Sequence, residues 1–306
     1  MFSVRALPLG GFCGFEGEDT SSDDDGAFTK KAPWKRIIVL IAGPLANYLL
    51  ALLLIIVSMF AFGQPVFKVG SVAPPKDVTY IGYTLKENDL ILKADGKGVY
   101  LVTDLMTALN GKEEGAKVNF TVFRDGKEQD IKVKLQESCK FENSSQTSGV
   151  WRALGIGTVE KEDGKVYWDL TSVNYRFSFF PSIGRSFVYS GRIAGTIFNV
   201  LGELLTGKLG LTAMGGPVTT IKLTSEIASQ SVQSFFEIAA YIGVNLAVFN
   251  LLPIPALDGS KIVFCLIEWI FKKPVPRKVE AIIHAVGFVL ILAFAVLVDI
   301  LQFVHC

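Results

Sequence analysis

Histidine is almost missing from these 306 residues: there are two, His284 and His305, and neither has a second histidine four positions away. The chain therefore lacks HExxH, the pair that sets two imidazoles one helical turn apart on a single metal. Glu280 lies four residues before His284 but supplies no second imidazole, so both histidines read as packing or interfacial residues. Cysteine is equally sparse. Cys13, Cys139, Cys265 and Cys306 are scattered with no CxxC, which excludes a thiolate zinc finger and a disulfide framework. Excess charge is missing too: 30 basic residues face 29 acidic ones, for a net charge of +1 and no sign of a nucleic-acid partner. The first residues lack a basic segment followed by an apolar core, so no cleavable signal peptide is expected, and there is no internal repeat.

What the chain has is apolar sequence. Half of its residues are hydrophobic and its mean hydropathy is +0.41, more than a water-soluble domain needs. The run Ile37 to Phe62 would be about 39 Å long at ~1.5 Å per residue, enough to span a bilayer with some tilt. Gly43-Pro44 and Asn47 interrupt it, either as a helix-packing notch with a satisfied amide or as part of a site. A second run covers Phe235 to Leu252 and a third Val279 to Val304, whereas Lys261 to Phe271 is too short to span. Basic residues gather before the first run (Lys30, Lys31, Lys35, Arg36) and before the last (Lys272, Lys273, Arg277, Lys278). By the positive-inside rule both clusters are cytoplasmic, and the segment between the first two spans, like the C-terminus, is extracytoplasmic.

The stretch Asn245 to Gly259, NLAVFNLLPIPALDG, organises the rest. Pro253 and Pro255 each remove a backbone donor and restrict the residue before them, so the helix must break there. Asp258 follows at once. A carboxylate at membrane depth costs about 2.5–3.5 kcal/mol, which makes it a functional-site candidate. On spacing alone it is equally an N-cap of the next helix.

Between the spans the pattern changes. LKENDLILKADGKGVYLVTDLMTALNG reads as strand, turn, strand and short helix, and VNFTVFRDGKEQDIKVKL as a hairpin about Asp125-Gly126. Residues 64–137 resemble a bacterial-type PDZ domain, which takes a peptide as an added strand beside a helix. No Gly-Leu-Gly-Phe carboxylate loop is evident, so an internal peptide or a size filter fits as well as a free C-terminus. Residues 138–180 read as a polar linker and a second hairpin turning at Asp163-Gly164. Residues 181–234 hold an amphipathic helix whose polar stripe includes Arg185, Tyr189, Arg192, Thr196, Asn199 and Glu203. It lies in the membrane interface, or packs beneath the PDZ-like domain. The expected fold is a multi-pass α-helical membrane protein with an inserted extracytoplasmic α+β domain. Its parts are a substrate loop at 1–29, the first span at 30–63 and core helices at 235–306.

Five segments in order carry a family resemblance: RALPLGGFCGFEGED, IAGPLANYLLA, the PDZ-like stretch, MGGPV and NLLPIPALDG. Together they resemble the site-2 proteases, bacterial intramembrane zinc metalloproteases of regulated intramembrane proteolysis. The resemblance implies zinc as cofactor, with Asp258 as a metal ligand and Asn47 near the site. It also implies a substrate membrane helix, unwound and held by Gly10, Gly11, Pro253 and Pro255, with Asn250 stabilising charge on the scissile carbonyl. It implies membrane-protein substrates, with an extracytoplasmic peptide as a further partner. The family's remaining ligands are the histidines of an HExxH helix, which these residues lack. The sequence is thus expected to be an N-terminally truncated, inactive form, with Met1 an internal methionine. The rival expectation is a non-catalytic, membrane-anchored peptide-binding protein.

Overall fold

A computed structural model describes residues 24, 26–160, 164–210 and 215–305. The apolar runs become helices α1 (Pro33–Ala61), α6 (Val232–Leu251) and α8 (Arg277–His305). Among the described residues these three are long and apolar enough to cross a membrane. Many of their large apolar side chains, such as Leu49, Leu53, Phe288 and Leu290, are exposed, as expected of surfaces that lipid covers. By close contacts the chain divides into two units. Among the described residues, one takes in those up to Asn47 with Leu246–Ala293, and the other those of Tyr48–Asn245 with the end of α8.

The larger unit is built on a sheet. Strands β1 (Gln64–Val69), β2 (Leu90–Ala94), β3 (Lys97–Gly98), β4 (Lys117–Arg124) and β5 (Lys127–Lys134) surround helix α2 (Val102–Leu109) in sequence. Helix α3 (Thr147–Ala153), strands β6 (Thr158–Glu160) and β7 (Val166–Trp168), and then β8 (Leu170–Tyr175) follow. The order is β5-β4-β2-β1-β8 with β3 alongside β2, and all pairings are antiparallel. The expected hairpin forms between β4 and β5, with Asp125 and Gly126 both at positive φ, the backbone a tight two-residue connection demands. β6 and β7 pair as a second, two-stranded ribbon.

Of the polar linker and hairpin expected at 138–180, the hairpin strands pair as β6 and β7, but the linker residues join the core. Cys139, Val150, Trp151, Ala153, Leu154 and Ile156 sit in the same hydrophobic core as Leu85, Ile91, Leu105, Phe120 and Val133. β8 pairs with β1 along its whole length, from Gln64 opposite Tyr175 to Val69 opposite Leu170. The physical reason is that β1 needs a partner on both edges, and β2 provides only one. A charge is buried in this core as well. Asp89 has no exposed surface, accepts two 2.6 Å hydrogen bonds from Arg124 and one from the Lys86 amide, and so is fully paired.

Helix α4 (Phe179–Leu205) turns its polar stripe to the sheet unit. Arg185 reaches Gln64 at 2.6 Å, Tyr189 stacks on Tyr100, Arg192 meets Asp104 at 3.1 Å, and Glu203 accepts from Ser144. Ser186 and Ser190 are buried and reach Met59 and Tyr48 of α1. Packing against the sheet unit, the second of the two expectations for this helix, is therefore present, while Phe180, Phe187, Phe198 and Leu205 stay exposed on the other side. Helix α5 (Pro217–Gln230) starts where Asp299 of α8 approaches Gly216 too closely for any side chain there, and the Val218 amide donates to the same carboxylate at 3.3 Å.

Candidate functional site

Helix α6 ends at Leu251, and helix α7 (Asp258–Phe271) begins after a six-residue bend. The prolines dictate the break, and the freed backbone groups find local partners. The Ile254 amide donates to Leu252 O at 2.7 Å, Leu257 to Ile254 O at 3.2 Å, and Ser260 to Leu257 O at 3.2 Å. Ala256 adopts a positive φ of 73°, uncommon for a residue with a side chain. Three contacts hold it there. The Ala256 amide donates to Nδ1 of His284 on α8 at 3.0 Å. A Cβ on Gly287, one turn further along α8, would collide with the Pro255 ring, so only glycine lets the bend rest on that helix. A Cβ on Gly259 would collide with the Leu252 carbonyl oxygen, so the glycine of the LDG sequence lets the chain double back on itself.

Asp258 stands at the start of α7, half-buried, directly after this clamped bend. Leu257 occupies the capping position, so the N-cap alternative for Asp258 is not what forms. Asn250 lies one residue before the end of α6 and is half-buried, as is Pro255, while Pro253 is exposed. Asn47 is half-buried on α1, in the same compact unit as Asp258. Pro44 is accommodated inside α1, and a Cβ on Gly43 would meet nothing within 4 Å, so Gly43 marks no tight contact among the described residues. Gly10 and Gly11 lie outside the described residues.

Sequence reasoning set His284 aside as a packing or interfacial residue; the structure makes it the acceptor that ties the bend to α8. The signal was present but weak: His284 and Gly287 are three apart and so share one helix face.

Zinc coordination is testable against the donors themselves. A catalytic zinc takes three protein ligands and leaves one position open. Among the described residues no group of three His, Cys, Asp or Glu side chains comes together, and the sequence has no HExxH. Asp258 suits one coordination position, but the described residues do not complete a zinc site.

The described residues thus hold a broken helix, a bent loop and a leading carboxylate beside three helices apolar enough to cross a membrane. The match to known proteins is more particular. The model of Peptidase family M50 matches residues 1–294, and the chain belongs to that family, the zinc-dependent site-2 proteases. A Clostridium perfringens protein named "Putative zinc metalloprotease" is 32% identical over 300 residues, covering 98% of this chain and 82% of that one. A protein of the same description from Fusobacterium nucleatum is 29% identical over 306 residues, with 98% and 82% covered. Zinc metalloprotease RasP of Geobacillus kaustophilus is 28% identical over 273 residues, covering 89% of this chain and 59% of RasP.

Proposed function

We propose that this chain is the carboxylate-bearing part of an intramembrane zinc metalloprotease that cleaves transmembrane segments in regulated intramembrane proteolysis. The observation that carries the reading is the bend at 252–257, which breaks a membrane helix, holds its own backbone polar groups in place and presents Asp258. Asp258 is the proposed ligand, and zinc when bound supplies the Lewis acidity that peptide hydrolysis requires. Asn250 borders the bend and the Pro253–Pro255 backbone lies within it, where an unwound substrate would lie. With one such donor among the described residues, the reading has the chain alone neither hold zinc nor hydrolyse a peptide bond. The test is cleavage of a model transmembrane substrate in proteoliposomes by the chain alone and by the chain fused to a helix bearing HExxH. The reading expects cleavage only from the fusion. An inactive fusion would favour the non-catalytic alternative.

The sheet unit is read as the PDZ-like domain, extracytoplasmic by the distribution of basic residues. Two features bear on what it binds. The amides of Leu154, Gly155 and Ile156, in the nearest counterpart to a carboxylate loop, already donate to Val150, Arg152 and Trp151 carbonyls. Free C-terminal capture there is thus disfavoured. β5 guards its edge with Lys127, Glu128, Asp130, Lys132 and Lys134, whereas β8 offers an uncharged edge, so an internal peptide strand would add beside β8.

A further inference from the structure

Strand β8 ends between two membrane helices. Arg176, directly after it, donates to the carbonyl of Ala61, the last residue of α1, at 3.0 Å. Asn174 and Gln233, the second residue of α6, exchange side-chain hydrogen bonds of 2.6 and 2.9 Å. Phe62 and Phe236 meet with ring centroids 6.5 Å apart. The foot of β8 is thereby fixed at the level where the apolar span of α1 ends and that of α6 begins.

One side of β8 pairs with β1, and the other side is open. Outside that ladder no backbone group of residues 170–175 has a hydrogen-bond partner among the described residues, and none of the six side chains is charged. An unguarded edge of this kind is a template for a further strand. Beside it lies an apolar cavity of about 380 Å³, lined by Pro65, Phe67, Tyr100, Val102, Trp151 and Ser172. Ser172 is opposite Phe67 in the ladder, and Phe67 packs edge-on against Trp151, so this row of side chains faces the helices. A residue added opposite Ser172 would continue the row and point its side chain into the cavity.

We propose that β8 takes, as an added antiparallel strand, the segment of a membrane-protein substrate that directly follows its span, with one large apolar side chain of that segment in the cavity. The proposal rests on the reading of the sheet unit as a peptide-binding domain, and it names the ligand as part of a chain held in the same bilayer. Every pairing in the sheet is antiparallel, and β8 runs toward the spans, so the added strand runs away from them. It therefore follows a helix that has just left the membrane. The residue opposite Ser172 stands two residues above the level of Asn174, about 7 Å along a strand, which puts it about three to five positions outside the span. Sharing a bilayer raises the effective concentration of such a segment, so a short edge and one side chain suffice to hold it.

The test reconstitutes the full chain, with benzoylphenylalanine in place of Thr171 on β8, in liposomes that also hold a single-span probe protein. The probe's span is followed by a Ser/Thr tail with one Phe, and photocross-linking is the readout. Phe at the fourth position after the span should give at least about tenfold more cross-link than a tail without Phe, or one with Phe at about the twelfth position. Ser172→Trp fills the cavity from the exposed edge, and Thr147→Phe fills it from the start of α3. Each should bring the three probes within about twofold, and either decides the matter if the other does not fold. Equal cross-linking from the fourth and twelfth positions would overturn the proposal and leave the peptide-binding reading standing. A preference unmoved by both variants would overturn it through the cavity. Absence of any Phe-dependent cross-link, from the probes or from the same tail added as a free amidated peptide, would overturn that reading as well.

Discussion

The sheet unit and the bend unit solve the same problem in opposite ways. In the sheet unit, Phe120, Leu85, Ile91, Leu105, Leu135 and Leu154 are almost wholly removed from solvent, and apolar burial carries the stability. In the bend unit few side chains are buried, because lipid is as apolar as leucine and rewards no such burial. What fixes its shape is backbone satisfaction and close approach: Ala256 on His284, Pro255 on Gly287, Gly259 under Leu252. A region held by volume spreads its stability over many side chains, while a region held by three contacts concentrates it in them.

The largest effect that comparison predicts is on the sheet unit's boundary. Residues 64–137, expected from sequence to be a self-contained domain, should fail to fold when produced alone, because they lack β8 and the core side chains of Val150, Trp151 and Ile156. Residues 64–175 should give a mixed α/β circular dichroism spectrum and one cooperative melt. A cooperative melt from 64–137 would show that the later residues only decorate the core.

Next comes the bend. Gly259→Val should destabilise the protein in detergent by about 3 kcal/mol or more, since the clash is with backbone and cannot be relieved by a rotamer change. A thermal shift assay reads this, and an unchanged melting temperature would mean that the close approach is not maintained. His284→Ala removes a single acceptor and leaves the Ala256 amide unmatched, so about 1–2 kcal/mol is expected. His284→Gln, which keeps an acceptor, should recover part of it.

How much of this was legible beforehand depended on sequence separation. The spans, the proline break and the hairpin at Asp125-Gly126 are local features, written in apolar runs and turn residues within a few positions of one another. The pairing of β1 with β8 joins residues about a hundred positions apart, and β8 carries no alternation strong enough to announce a sheet partner. The stripe on α4 was visible, but polar residues at helical spacing look the same whether they face headgroups or Gln64, Tyr100 and Asp104. Asp258 was singled out by its place after the break. The latch at His284 was not, since a lone histidine on an apolar helix carries no mark of the amide it will meet.

The smallest effect concerns alkaline pH. Burial, followed by the nearby Glu237 and Tyr241, pushes the Tyr189 hydroxyl up to about 12. Because the folded state holds that proton more tightly than the unfolded chain, the stability it contributes is intact below pH ~10 and is lost as pH rises toward 12. Tyr189→Phe should flatten the melting temperature across that window relative to the parent. A parallel decline in both proteins would place the alkaline sensitivity elsewhere in the sheet unit.

The central claim is that the clamped bend exists to present Asp258 to zinc. Zinc content by inductively coupled plasma mass spectrometry, on the chain fused to an HExxH helix and on its Asp258→Ala variant, tests it most directly. The account predicts close to one zinc per fused chain, and a loss of at least about tenfold in the variant, as removing one of three protein ligands should produce. Equal zinc in the two proteins would contradict it.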